Sequence, residues 1–276
     1  MARLFEYQAK TLLAEAGVRV PWARVVESVE AVEAAAREAR GRVVLKPQLL
    51  EGGRGRRGLI AAAGDAEEAV RRARELVSGS FWGGLPRRLL VEEWVTAQEE
   101  WYVAVVTDVS ARRPLLLVSP EGRPAVEEAL EKGAALRVYL SATQPLRAYE
   151  VVDALRRRYR MESRALAGLA RMCAALAEVY RKTDARLVEV NPAAWTGDGW
   201  VALDARVVLD EDAGFRQQDL YRRLGLEQAE QAGGRLPTRL EVEARRIDAE
   251  DHRGSVHFVE LDPGGARSRA QGLVPV

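Results

Sequence analysis

Leu187-Val188-Glu189-Val190-Asn191-Pro192 is the stretch on which the fold turns. Asn191 is the sole asparagine of the 276 residues, in a chain with 38 arginines and four lysines, and that scarcity singles its amide out. The run reads as a strand, so Glu189 and Asn191, two places apart, point to one face. Two oxygen donors side by side on a strand suit a hard cation such as Mg2+. Taken alone, the run also reads as a strand closed by an Asn-Pro turn. Downstream, Gly197-Asp198-Gly199 separates it from a second strand over 200–204. A two-residue turn at Gly197-Asp198 or at Asp198-Gly199 puts Asp204 on the face of Asn191 and Glu189; a three-residue turn puts it on the opposite one.

A Mg2+ ion held by one or two protein oxygens needs phosphates nearby. Residues 43–62 offer a place for them. Lys46 ends a strand, Glu51-Gly52-Gly53-Arg54-Gly55-Arg56-Arg57-Gly58 follows, and a strand resumes at Leu59. Glycines let backbone N–H groups approach an anion closely, and the arginines add charge. The segment is not a Walker loop, since it lacks Gly-Lys-Ser/Thr and runs into a strand. It reads as a glycine-rich hairpin over phosphates, or as a solvated basic hairpin. An RNA contact is disfavoured because no aromatics interleave. A third constellation is the strand Leu89–Trp94 with Glu92, followed by Glu100, where carboxylates at a strand end can meet a purine or ribose edge. Such acids are common, and this segment gains meaning only beside the other two.

Composition narrows the class. With 42 basic and 41 acidic residues, no global field directs the chain to nucleic acid or an anionic membrane. Cys173 is alone, which excludes an intrachain disulfide, and its apolar helix makes it a core residue. Charges near the N-terminus do not fit a signal peptide, and no apolar run reaches membrane-spanning length. The expected location is cytoplasmic.

Periodicity predicts helices over 5–16, 28–40, 66–77, 147–159 and 163–181, with strands over 42–46, 59–63, 89–94, 100–107, 114–119, 187–191 and 200–204. A polar helical stretch follows from Asp212 to about Glu230, then a linker over 231–238. The predicted class is α+β (mixed α/β), with hairpins rather than a βαβ series.

With the three constellations in this order, the chain resembles an ATP-grasp domain, specifically that of the succinyl-CoA synthetase β-subunit family, which includes citryl-CoA synthetase and the N-terminal part of ATP-citrate lyase. The matching stretches are Phe5-Glu6-Tyr7-Gln8-Ala9-Lys10, Val44-Leu45-Lys46-Pro47-Gln48 with Gly52-Gly53-Arg54-Gly55, Leu90-Val91-Glu92, Glu189-Val190-Asn191-Pro192, Leu203-Asp204-Ala205 and Phe215-Arg216-Gln217-Gln218-Asp219-Leu220. They run in family order over about residues 1–222. The resemblance implies an ATP-grasp domain over 1–236. Its small lobe would span about 20–104 and its large lobe 1–19 plus 105–236, with 237–276 a linker and remnant of a second, flavodoxin-like domain. Lys46, Gly53, Arg54 and Gly55 would hold phosphates of ATP or GTP. Glu92 would sit near the adenosine and Glu100 beside it, and Asn191 and Asp204 would bind Mg2+ with Glu189 beside them. The chain would be the nucleotide-binding component of an ADP-forming acid-CoA ligase. It would pass the γ-phosphoryl group toward a histidine on an α-like partner that carries the CoA-binding domain. The alternative is a nucleotide-binding or regulatory paralogue without turnover. No catalytic residue is assigned in this chain: His252 and His257 flank an alternating stretch (255–261) and read as strand residues, not phosphoryl carriers.

Overall fold

The computed structural model describes residues 2–39, 41–50, 53–55, 57–82, 87–120, 133, 135–226, 238–250, 258 and 260. Two antiparallel sheets organise it. The smaller has the order β2-β5-β3-β4 and comprises β2 (Ala23–Val26), β3 (Val43–Pro47), β4 (Ala61–Ala63) and β5 (Leu89–Glu93). Alternation divides its faces. Val43, Leu45, Leu89 and Val91 point toward α2 (Val29–Glu38) and α3 (Ala66–Val77), whose Val32, Ala35, Ala69, Ala73 and Leu76 complete one core. Ser28 and Asp65 cap these helices, each side chain accepting a backbone N–H three residues on. Lys46 and Glu92 lie on the other face, and the register brings them together: Lys46 pairs with Leu90 and Val44 with Glu92, so the two side chains are diagonal neighbours.

The larger sheet runs β1-β11-β9-β6-β7-β8, with β10 pairing β9. Its strands are β1 (Ala2–Arg3), β6 (Glu99–Asp108), β7 (Arg113–Ser119), β8 (Leu136–Tyr139), β9 (Ala185–Trp195), β10 (Trp200–Ala202) and β11 (Ala205–Leu209). Val103, Val105, Val188, Val190, Leu116 and Val118 pack with α4 (Ala148–Arg158) and α5 (Ser163–Lys182) in the main core. Leu166, Leu169, Cys173 and Leu176 supply the apolar stripe of α5, and burial pushes the Cys173 thiol up to about 12. α1 (Glu6–Glu15) sets Ala9, Leu12 and Leu13 into the same core. Its i,i+4 pair Glu6–Lys10 faces the smaller sheet, where both side chains are buried.

One boundary is corrected. β6 pairs with β9 from Glu99 onward, so residues 99–104 belong to the larger sheet and the smaller sheet ends at Glu93. The expected helix after Asp212 begins as a 3-10 turn over Glu211–Arg216 and continues as α6 (Gln218–Leu224). α7 (Arg239–Glu250) follows the anticipated linker. Its start is a reciprocal cap in which Glu241 N–H donates to Thr238 Oγ1 at 3.3 Å and Thr238 N–H to Glu241 Oε2 at 2.9 Å. Most of the linker, the helical stretch to Glu230, His252, His257 and the alternating stretch over 255–261 lie largely or wholly outside the described residues. Among the described residues no helix is long and apolar enough to cross a membrane.

Candidate nucleotide site

The turn that sequence left open is Gly197-Asp198. Thr196 N–H donates to Gly199 O at 3.1 Å, and Trp200 pairs with Trp195. Gly197 has φ 89°, a conformation that glycine adopts without the steric penalty other residues meet. The same register continues into β11, where Ala205 pairs with Val190, and between them Asn191 N–H donates to Asp204 O at 3.1 Å. Asp204 therefore stands directly opposite Asn191. Glu189 lies one alternation further along the same face, roughly 7 Å away along the strand, opposite Arg206.

The glycine-rich hairpin meets this pair. β3 and β4 are antiparallel neighbours, and the connecting loop turns through Gly53 at φ 79°. Arg54 is folded inward rather than solvated. Its guanidinium NH2 lies 2.9 Å from Asp204 Oδ1 and 2.7 Å from Glu6 Oε2, and its NH1 donates to Pro47 O at 3.1 Å. Lys46 Nζ donates to Glu92 Oε1 at 2.6 Å, Glu6 Oε1 at 3.0 Å and Leu203 O at 2.6 Å. Lys10 Nζ approaches the same three groups: Glu92 Oε2, Glu6 Oε1 at 2.9 Å and Leu203 O at 2.8 Å. Three cations and three carboxylates thus interlock, with Lys46, Arg54 and Glu92 on one side and Glu6, Lys10 and Asp204 on the other.

Burial would raise the Glu6 carboxyl, but Lys10, Lys46 and Arg54 outweigh it and hold the group well below the usual carboxylate range. Lys46 and Arg54 are shifted up: burial opposes their charge, and the carboxylates around them overcome it. Asp204 moves the other way. Desolvation first, then the charge of Glu6, push it from 3.8 to about 6 against the attraction of Arg54, Lys46 and Lys10. The protein's own cations thus leave Asp204 short of positive charge. Its side chain keeps 40% of its surface open to the cleft. The Asn191 side-chain amide makes no hydrogen bond to any described residue. An open carboxylate short of a counter-cation beside an uncommitted amide oxygen is a donor set that fits Mg2+ completed by water and phosphate. Among the described residues no group of three or more His, Cys, Asp or Glu side chains is arranged for a metal, so a cation here would rely on such outside ligands.

A cleft of about 630 Å3 opens on these groups, lined by Lys46, Gly53, Arg54, Gly55, Glu92, Glu100, Glu189, Asn191 and Asp204 among others. All nine residues singled out from sequence therefore border one space. Two differ from expectation in posture. Glu92 is buried with both oxygens taken by lysines, and Arg54 bridges the two hairpins. Reasoning from sequence missed Glu6 and Lys10 as site residues. The signal was present: a chain with four lysines places one of them at i+4 from an acid, on a helix that also buries Leu13.

Comparison with known proteins supplies a family and a fold. The chain matches the ATP-grasp domain family over residues 3–195. The succinate–CoA ligase [ADP-forming] subunit beta of Rubrobacter xylanophilus is 34% identical over 98% of this chain and 68% of its own length. The succinate–CoA ligase [GDP-forming] subunit beta of Thermus thermophilus is 36% identical over 79% of this chain and 58% of its own. In fold, ATP citrate lyase of Methanothrix soehngenii, solved with citrate and coenzyme A, superposes at a TM-score of 0.65 over 91% of this chain and 60% of that one, with 23% identity. The dinucleotide-forming acetyl-coenzyme A synthetase 1 of Ca. Korarchaeum cryptofilum, in complex with coenzyme A, Ca-AMPCP and HgCl+, superposes at 0.62 over 76% of this chain and 94% of that one, with 18% identity. The matched stretch thus spans between 58% and 68% of these two curated relatives.

Proposed function

The chain belongs to the ATP-grasp family, among the succinate–CoA ligase β-subunits; from that premise we propose that it is the nucleotide-binding component of an ADP-forming acid-CoA ligase. The observation that carries the reading is the opposition of Asn191 and Asp204 across one hairpin, bridged by Arg54 to the glycine loop beside Lys46. Lys46, Arg54 and the backbone around Gly53 and Gly55 would receive the phosphates of ATP or GTP. Glu100, exposed at the cleft, would sit on the nucleoside side. Asn191 and Asp204 would hold Mg2+, with Glu189 behind them; when bound, the ion supplies charge neutralisation at the phosphates. The chain's own residues contribute positioning and electrostatics: a rigid strand pair fixes the oxygens, and buried cations face the place where phosphate charge would lie.

The γ-phosphoryl group would pass to a histidine on an α-like partner with a CoA-binding domain, and from there to a carboxylic acid. The experiment is phosphoryl transfer from labelled ATP or GTP to such a partner, with the intact chain and with Asp204→Ala. Label on the partner that disappears with the variant supports the reading. Tight nucleotide binding without transfer would favour a module without turnover, and absence of nucleotide binding would remove the reading altogether.

A further inference from the structure

An ammonium group has three N–H bonds to donate. All three on Lys46 are spent on Glu6, Glu92 and Leu203 O. A phosphate arriving in the cleft can take a hydrogen bond from Lys46 only if one of these is released. Glu92 is buried, and its side-chain partners are two lysines, Lys46 and Lys10. If Lys46 turned away and nothing remained, a carboxylate would be stranded in the interior, which is among the costliest events in a protein. Lys10 prevents this. It already touches Glu92, Glu6 and Leu203 O, the same three groups that Lys46 holds.

We infer that Lys10 is a positioning residue for nucleotide binding, the stand-in cation that keeps Glu92 and Glu6 neutralised while Lys46 exchanges a carboxylate for phosphate. The inference rests on the nucleotide-site reading above and adds a residue outside the set assigned to phosphate or metal. Glu6 is also held by Arg54, so the exchange is decided at Glu92. Replacing Lys10 by a neutral side chain would leave Lys46 as the single lysine on Glu92 and tether it there. Nucleotide would then bind more weakly even where the fold survives.

A double-mutant cycle tests this on the full chain, with dissociation constants for Mg2+·ATP and Mg2+·GTP measured by calorimetry for wild type, Lys10→Met, Glu92→Gln and the pair. Lys10→Met is expected to weaken binding about tenfold in the wild-type background and by less than about threefold in the Glu92→Gln background. Lys10→Arg, which keeps the charge, is expected to stay within about threefold of wild type. Equal losses in both backgrounds, or unchanged affinity with a lowered melting temperature, would overturn the inference and reduce Lys10 to a structural residue. Should Lys10→Met not fold, the charge-balanced pair against Glu92→Gln, together with Lys10→Arg, decides: a tenfold loss in either comparison overturns it. Failure of the wild-type chain to bind either nucleotide would instead strike the nucleotide-site reading beneath it.

Discussion

Asp204→Asn separates what the carboxylate does for a metal from what it does to the fold. In the metal-free protein the folded state raises this carboxyl from 3.8 to about 6. At about 1.4 kcal/mol per unit a dry site would convert the gap into about 3 kcal/mol. The side chain is 40% open to the cleft, and solvent screening reduces the figure to roughly 1 kcal/mol. The attraction of Arg54 is already contained in the raised value, so the ionised form is disfavoured in spite of that pair. The sign follows from proton linkage. At about pH 3 and below, folded and unfolded chains both keep the proton and no penalty exists. As pH rises toward 6 the unfolded chain releases its proton first, so the wild type loses stability, and the loss is complete above the folded value. Asparagine never ionises. Thermal melts in EDTA should therefore show the variant level with wild type at about pH 3 and more stable by roughly 1 kcal/mol at pH 7.5, a gain of about 2–4 °C. With Mg2+ and ATP added, the wild type should gain by ligand linkage and the variant should lose most of that gain. A variant less stable than wild type at pH 7.5 in EDTA would mean that the Arg54 pair outweighs desolvation, and the reasoning would fail.

Other substitutions probe the parts around it. Lys46→Met should weaken nucleotide binding by at least about tenfold, read by calorimetry, because a charged phosphate contact is lost. Gly197→Ala forces a Cβ into a left-handed turn with Gln98 Nε2 2.9 Å away. It should cost about 1–2 kcal/mol in denaturant melts and weaken the Mg2+ dependence of nucleotide binding, since that turn sets Asp204 against Asn191. Leu176→Ala, in the main core and away from the cleft, should cost about 2–5 kcal/mol yet leave the dissociation constant for nucleotide unchanged.

Much of the site was legible because β-structure repeats every two residues. Once Glu189 and Asn191 were placed on a strand they shared a face, and the turn then offered a short choice for Asp204; the fold selected Gly197-Asp198. Lys46 and the glycine loop were readable for a similar reason, since a lysine at a strand end before several glycines has few structural purposes. Glu6 and Lys10 were not recognised as site residues, because helical spacing shows that they share a face but not that the face abuts the other sheet. The division at residue 104 cut through β6, whose first residues, Glu99 and Glu100, pair with the far end of β9. Thr238-Arg239-Leu240-Glu241 carried a readable helix-start signature that the polar, glycine-containing surroundings obscured.

The most direct test of the central claim is a crystal structure of the chain with Mg2+ and a non-hydrolysable nucleoside triphosphate. The account predicts the phosphates within hydrogen-bonding reach of Lys46 Nζ, the ion at about 2.1 Å from an Asp204 oxygen, Asn191 on its other side, and Lys10 still seated on Glu92. A nucleotide bound outside this cleft, or a triphosphate within it while Lys46 still holds Glu6, Glu92 and Leu203 O, would contradict it.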